Sequence, residues 1–176
     1  ISTAQQWMEF VNGDAAALAN NGTNDIVNIT ADLDFTGIEY ATATDFKGVV
    51  NGNNKTFKNI KASTPLFKNV TSVKDLTLDA TCSFTTTTSN TLASVAETSR
   101  GLISNVTNNA TVTLTTADID TYVVGGIVVY AYGDIENSTN KAAVKVATNA
   151  PKSGVVGGLV AYTEAKVNSS VNMGNV

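Results

Sequence analysis

Two stretches near the end of this chain are near copies of each other. Val123-Val124-Gly125-Gly126-Ile127-Val128-Val129-Tyr130 lies over Val155-Val156-Gly157-Gly158-Leu159-Val160-Ala161-Tyr162 at an offset of 32, and the alignment runs on without a gap to Val144 over Val176. Nine of these 22 positions are identical, including Ser138 with Ser170 and Asn140 with Asn172. A repeat of this length rich in β-branched residues is one supersecondary unit that buries its apolar face only by stacking on its neighbours. Weaker echoes at Pro65-Leu66-Phe67 and Gly101-Leu102-Ile103 place the apolar pairs at intervals of 36, 25 and 32, which corner loops of varying length would produce. The expected architecture is a coiled β-solenoid. Its apolar pairs point inward, Gly-Gly permits a tight corner or close coil approach, and Asn fills the turns. A closed β-sandwich also uses short alternating strands and is the rival.

Upstream, Ser2 and Thr3 each stand three residues before a glutamine, at capping-box spacing, and Trp7, Phe10 and Val11 then share one helical face. Val27, Ile29, Ala31 and Leu33 alternate as a strand with one buried face. Alternation also predicts strands at 76–80, 111–115 and 143–146, while Thr85 to Thr91 reads as a flexible loop. Residues 1–45 therefore form a capping helix with first strands, and 46–176 the solenoid repeats, in one structural domain. The 131 solenoid residues (176 − 45), at about 20 to 30 per coil, give about 4 to 6 coils. A helical cap is needed because an open solenoid end exposes apolar side chains and unpaired edges.

The repeats resemble the GLUG-motif repeats of bacterial cell-surface and secreted proteins, which read Gly-Gly-Leu-Val-Gly, a spacer, then Ile/Val-x-Asn-Ser and a small residue. The matching residues are Gly125-Gly126-Ile127-Val128 with Ile135-Glu136-Asn137-Ser138, and Gly157-Gly158-Leu159-Val160 with Val167-Asn168-Ser169-Ser170. Val129 and Ala161 stand where the family has glycine after the apolar pair, and residues 46–57 resemble a first coil of these proteins. The resemblance implies a right-handed parallel β-helix outside the cell, with adhesive or surface-structural roles and no shared catalytic residues.

Composition narrows the chemistry. The chain has no histidine and a single cysteine, Cys82, which removes His-dependent triads, His-ligated zinc and intramolecular disulfides. With 11 basic and 15 acidic residues (net −4), it lacks the basic footprint of a nucleic-acid binder. No apolar run is long enough to span a membrane. The chain begins at Ile1 without a signal-type segment and reads as a mature or trimmed one. Counts of 26 Thr and 20 Asn against one Arg fit an extracellular β architecture, secreted or anchored at the cell surface.

For binding, six lysines between Phe46 and Lys74 meet no carboxylate, so Lys47, Lys55, Lys58 and Lys61 are candidates for holding an acidic glycan. The competing reading is of ordinary outward positions that blunt strand edges. Tyr130 and Tyr162 occupy one repeat position, either as a ladder in the core or corner or as a platform for sugars. Asp32 with Asp34 and Asp118 with Asp120 share strand faces; they read as turn residues, with Asp118 and Asp120 the weak candidates for Ca²⁺. No cofactor is expected. The chain is thus read as a non-enzymatic adhesion or surface-structural module, whose partners are a glycan, a host or cell-surface protein, and at the C-terminal coil either its own kind or further repeats of a longer chain. The alternative is a carbohydrate-binding or carbohydrate-active module acting on acidic polysaccharide.

Overall fold

The computed structural model describes residues 1–14, 25–40, 44–116, 120–148 and 153–176. Over these the chain is a parallel β-solenoid of about three turns with one short N-terminal helix. Its long sheet is built level upon level. Ile26–Asn28 and Leu33–Asp34 pair with Thr44–Lys58, which pairs with Phe67–Leu78. Ala96–Ser99 and Ile103–Asn108 come next, then Val128–Ala131, Ile135–Glu136 and Thr139–Asn140. Val160–Thr163, Val167–Asn168 and Val171–Asn172 form the last level. A second face stacks Lys61–Ala62, Ser83–Thr86, Thr111–Thr116 and Val144–Thr148; a third stacks Thr91–Leu92, Thr121–Gly125 and Ser153–Gly157.

Complete turns are fewer than the 4 to 6 expected, because the later coils are longer than 30 residues and the early levels lack the third face. Ile26 and its partner Val49 are 23 residues apart (49 − 26), Ile135 and Val167 are 32 apart (167 − 135), and only the longer coils reach the third face. The repeat phase also needs correcting. Phe67 pairs with Ala96 and Ala96 with Val128, so the coil between carries Ser94-Val95-Ala96 where Gly101-Leu102-Ile103 was expected. The true intervals are 29 (96 − 67), 32 (128 − 96) and 32 (160 − 128). Leu102 is exposed, and Ile103 stacks on Ile135 in the following strand.

Each level bends where one residue takes up left-handed backbone. Asp75, Asn105, Asn137 and Ser169 do so one above another, at φ 56, 53, 48 and 47°. Asn and Asp tolerate this region because their short side chains bond locally, and the Asn105 amide donates to Asp75 Oδ1 at 2.8 Å. The Gly-Gly pair serves both purposes foreseen for it. A Cβ on Gly125 would strike Val128 O in its own corner, and one on Gly126 would strike Gly158 O of the next coil and the Asn140 amide.

At the N-terminal end Thr3 caps Ala4–Glu9, its Oγ1 accepting from Gln6 N at 3.1 Å, while Gln6 Oε1 accepts from Ser2 N at 2.8 Å. The helix, continued by the π-helical turn Phe10–Asp14, presses Trp7, Phe10 and Val11 into the solenoid. Trp7 packs edge-on against Phe57 and Phe67, and Phe10 against Phe46. Beneath them Trp7 Nε1 donates to Tyr40 Oη at 3.2 Å, and that hydroxyl donates to Leu66 O at 3.1 Å. Cys82 is buried and unpaired.

The threonine run is a loop only over residues 87–90, between the strands Ser83–Thr86 and Thr91–Leu92. Ser83–Thr86 is a strand on the second face, and Thr86 is buried with its Oγ1 accepting from Ser89 N at 3.2 Å. The expected strand at 76–80 stops at Leu78, because Asp79 Oδ1 accepts from Thr81 N and from Thr81 Oγ1 and closes a turn.

Candidate functional site

The parallel register aligns one outward row of side chains along the solenoid axis. Asp45 pairs with Asn69, Asn69 with Thr98, Thr98 with Tyr130 and Tyr130 with Tyr162. Successive levels are about 4.8 Å apart, so the row runs for about 19 Å at right angles to the strands. Its tyrosines are not core. Tyr162 is 49% exposed, Tyr130 is half-buried, and their centroids lie 6.3 Å apart at 60°, an edge-on contact that leaves ring surface facing solvent.

A second outward row follows the neighbouring bend through Lys47, Thr71, Arg100 and Tyr132. Thr71 Oγ1 donates to Lys47 O, Arg100 N donates to Val70 O at 3.0 Å, and Tyr132 N to Ser99 O at 2.9 Å. Between the rows lies a cleft of about 380 Å³ lined by Asp45, Phe46, Lys47, Asn69, Val70, Thr71 and Arg100. Arg100, the one arginine of the chain, lies 5.6 Å from the centre of the exposed Tyr132 ring, which steadies the guanidinium by cation–π attraction. Among the described residues neither Lys47 nor Arg100 has a carboxylate within ion-pairing distance. Asp45 Oδ1 accepts from Asn69 Nδ2 at 2.7 Å, so this carboxylate already has a neutral donor. The cleft surface is mostly apolar, with the two cations Lys47 and Arg100 on its lining and the exposed Tyr132 ring beside Arg100, so the groups it offers a ligand are an apolar floor and two positive charges that suit a carboxylate.

The candidate lysines are dispersed. Lys47 lines the cleft; Lys55 and Lys58 lie beyond the left-handed bend at Asn53 and Asn54, and Lys61 begins the second face. Lys58 Nζ stands 3.7 Å from Asp32 Oδ2, and Lys61 Nζ donates to Thr81 O at 2.7 Å, so both bind within the protein. Spacing alone did not mark Arg100, Asn69 or Tyr132 as neighbours of Lys47; the register does.

The carboxylates close turns. Asp34 Oδ1 accepts from Thr36 N, Thr36 Oγ1 and Asn59 Nδ2, and these bonds hold its pKa below the ordinary 3.8. Asp79 is lowered in the same way by the backbone and hydroxyl of Thr81. A carboxylate whose folded pKa is depressed contributes stability above its unfolded pKa and loses it as pH falls through the folded value. Urea midpoints should therefore stay level from neutral pH down to the carboxylate range and drop below it. The double substitution Asp34→Asn, Asp79→Asn should flatten that acid limb. Asp118 lies outside the described residues and Asp120 is exposed; among the described residues no group of His, Cys, Asp and Glu is arranged to hold a metal ion. Among the described residues no helix is long and apolar enough to cross a membrane.

No protein-family model matches this chain, and neither a curated protein nor a solved structure is similar to it at a significant level.

Proposed function

We propose that this chain is a non-enzymatic adhesion module of a bacterial cell surface that binds acidic glycan along the strip from the Arg100 cleft to Tyr162. The observation that carries the reading is the alignment of Asp45, Asn69, Thr98, Tyr130 and Tyr162 beside Lys47, Arg100 and Tyr132. A polymer lying parallel to the solenoid axis would meet one level after another, its rings against tyrosines and its carboxylates at Arg100 and Lys47. The resemblance to GLUG-motif surface repeats and the Thr- and Asn-rich composition support an extracellular setting.

The test is titration of an acidic polysaccharide, such as polygalacturonate, against a neutral one of equal length. Saturable binding to the acidic polymer alone is expected, weakening with salt because the cations are exposed. Arg100→Ala should cost about tenfold in affinity, the loss of a charge-assisted hydrogen bond. Tyr162→Ala should weaken binding severalfold, and Lys58→Glu, away from the cleft and paired with Asp32, should leave it unchanged. Absence of binding, or equal losses at Lys58 and Arg100, would overturn the reading.

A further inference from the structure

Given the acidic-glycan reading on which this rests, we infer that the cleft between Lys47 and Arg100 receives the end of the glycan chain, and that the end residue is an N-acylated acidic sugar. Its carboxylate meets the two cations, and its acyl methyl meets the carbon surface between them. Little of the polar chemistry of the lining is free for a ligand's hydroxyls. Asn69 Nδ2 donates to Asp45 Oδ1 at 2.7 Å, and Thr71 Oγ1 donates to Lys47 O. Phe46 and Val70 are buried behind the surface, so the carbon a ligand touches is chiefly the Thr71 methyl and the stems of Lys47 and Arg100, apolar up to their charged ends. An internal uronic acid, with hydroxyls around its ring, would bury them here without partners. A carboxylate with an acyl group beside it matches both halves of the lining.

The walls of the cleft are fixed before any ligand arrives. Phe46 and Val49 are three residues apart (49 − 46) where their partners Val70 and Ser72 are two apart (72 − 70), so one extra residue bulges at Lys47-Gly48. Such a bulge re-aims a side chain, and here that side chain is Lys47. A Cβ on Gly48 would strike the Phe46 ring and Asp25 O, so the bulge is closed tightly over the aromatic beneath it. On the other wall Gly101 N donates to Thr71 O at 2.7 Å, and a Cβ on Gly133 would strike Gly101 O. These close approaches hold the bend of Arg100 between those of Thr71 and Tyr132.

Size and direction select a chain end. The cleft holds about 380 Å³. That is near the lower limit of the roughly 300–1,000 Å³ of small-molecule sites, room for one sugar residue and not for a run of them. From Asn69 in its lining the outward row leads through Thr98 to Tyr130, so the sugars behind the end residue meet a hydroxyl and then an aromatic ring, with no further cation along that row. Both positive charges stand at the cleft, and the acidic residue belongs there.

Calorimetric titration of the 176-residue chain with four small probes tests this. They are the methyl glycoside of N-acetylneuraminic acid, the same sugar with a hydroxyl in place of its acetamido group, methyl galacturonoside, and octanoate. The N-acetyl sugar should bind most tightly, and its hydroxyl analogue about fourfold more weakly, the worth of one buried methyl group. Thr71→Ser keeps the hydroxyl bonded to Lys47 O and deletes the methyl, so it should narrow that difference. Arg100→Gln should weaken both sugars about tenfold. Equal binding of the two, or a difference unmoved in Thr71→Ser, would overturn the assignment. Octanoate binding as tightly as the N-acetyl sugar would overturn it too, as a site for hydrocarbon acids. If polygalacturonate binds and the N-acetyl sugar does not, the assignment falls and the glycan reading stands; if neither binds, both fall.

Discussion

Trp7→Ala should cost this protein about 3–5 kcal/mol, the range for truncating a buried large aromatic, against a total stability on the order of 5–15 kcal/mol for a domain of this kind. The indole is wholly buried and closes three contacts at once: edge-on against Phe57, edge-on against Phe67, and tilted on Phe10. Its removal empties the junction between helix and first coils and strips the Tyr40 hydroxyl of the donor that Trp7 Nε1 provides. Burial pushes the Tyr40 hydroxyl pKa upward, so that oxygen stays protonated and gains nothing by ionising. Trp7→Phe keeps most of the apolar area and loses the hydrogen bond, so it should cost about 1–2 kcal/mol. Because coils touch only their neighbours, damage at the cap should spread from one end. Urea unfolding followed by circular dichroism should show a lower midpoint and a shallower transition. Hydrogen exchange should accelerate in Phe46 to Leu78 before it does in Val112 to Val144. A loss below about 1 kcal/mol would mean that the helix merely rests on the solenoid.

How much of this was legible beforehand depended on whether a feature repeats. The VVGG copies announced the solenoid because two coils carry the same solution to the same packing problem, and the buried Ile127-Val128 pair sits where that pattern required. The coil between escaped detection because Ser94-Val95-Ala96 meets the same geometry with other residues. Ser94 has no glycine's freedom, yet its Oγ donates to Gly126 O at 2.7 Å and ties the coils together. Of Gly101-Leu102-Ile103, which copies the letters, Gly101 and Leu102 lie at an outer bend and Ile103 opens the following strand. The capping helix was legible from local chemistry, since Thr3, Gln6 and the Trp7 face are all within two turns. The proposed binding strip was only half legible. Tyr130 and Tyr162 share a repeat position, but placing Arg100 beside Lys47 needs the register of strands more than 50 residues apart (100 − 47 = 53), which corner lengths determine. The lysine cluster misled for the converse reason: closeness in sequence becomes dispersion when the chain turns a corner between Lys47, Lys58 and Lys61.

The Asn ladder allows a test of depth with a single chemical change. Asn140 is wholly buried, accepts from Asn108 Nδ2 at 2.8 Å, and donates to Ala142 O at 2.9 Å and to Asn172 Oδ1 at 2.8 Å. Asn140→Asp preserves shape and the acceptor toward Asn108 but turns the donor nitrogen into an oxygen facing two others. At neutral pH this buries an uncompensated charge, and a loss of about 3–5 kcal/mol is expected. Burial and the facing oxygens raise the pKa of the introduced carboxyl above its unfolded value. The protonated form is therefore the one the fold accepts, and stability should recover as pH falls toward 4 and be lost again as pH rises. Asn172→Asp makes the same change one coil further on, where water reaches the side chain, and should cost under about 1 kcal/mol. Urea midpoints of the two variants across pH 4–8 decide the matter. Equal losses would mean that the ladder's hydrogen bonds count alike at both positions, and that burial within the stacked coils is not what gives Asn140 its weight.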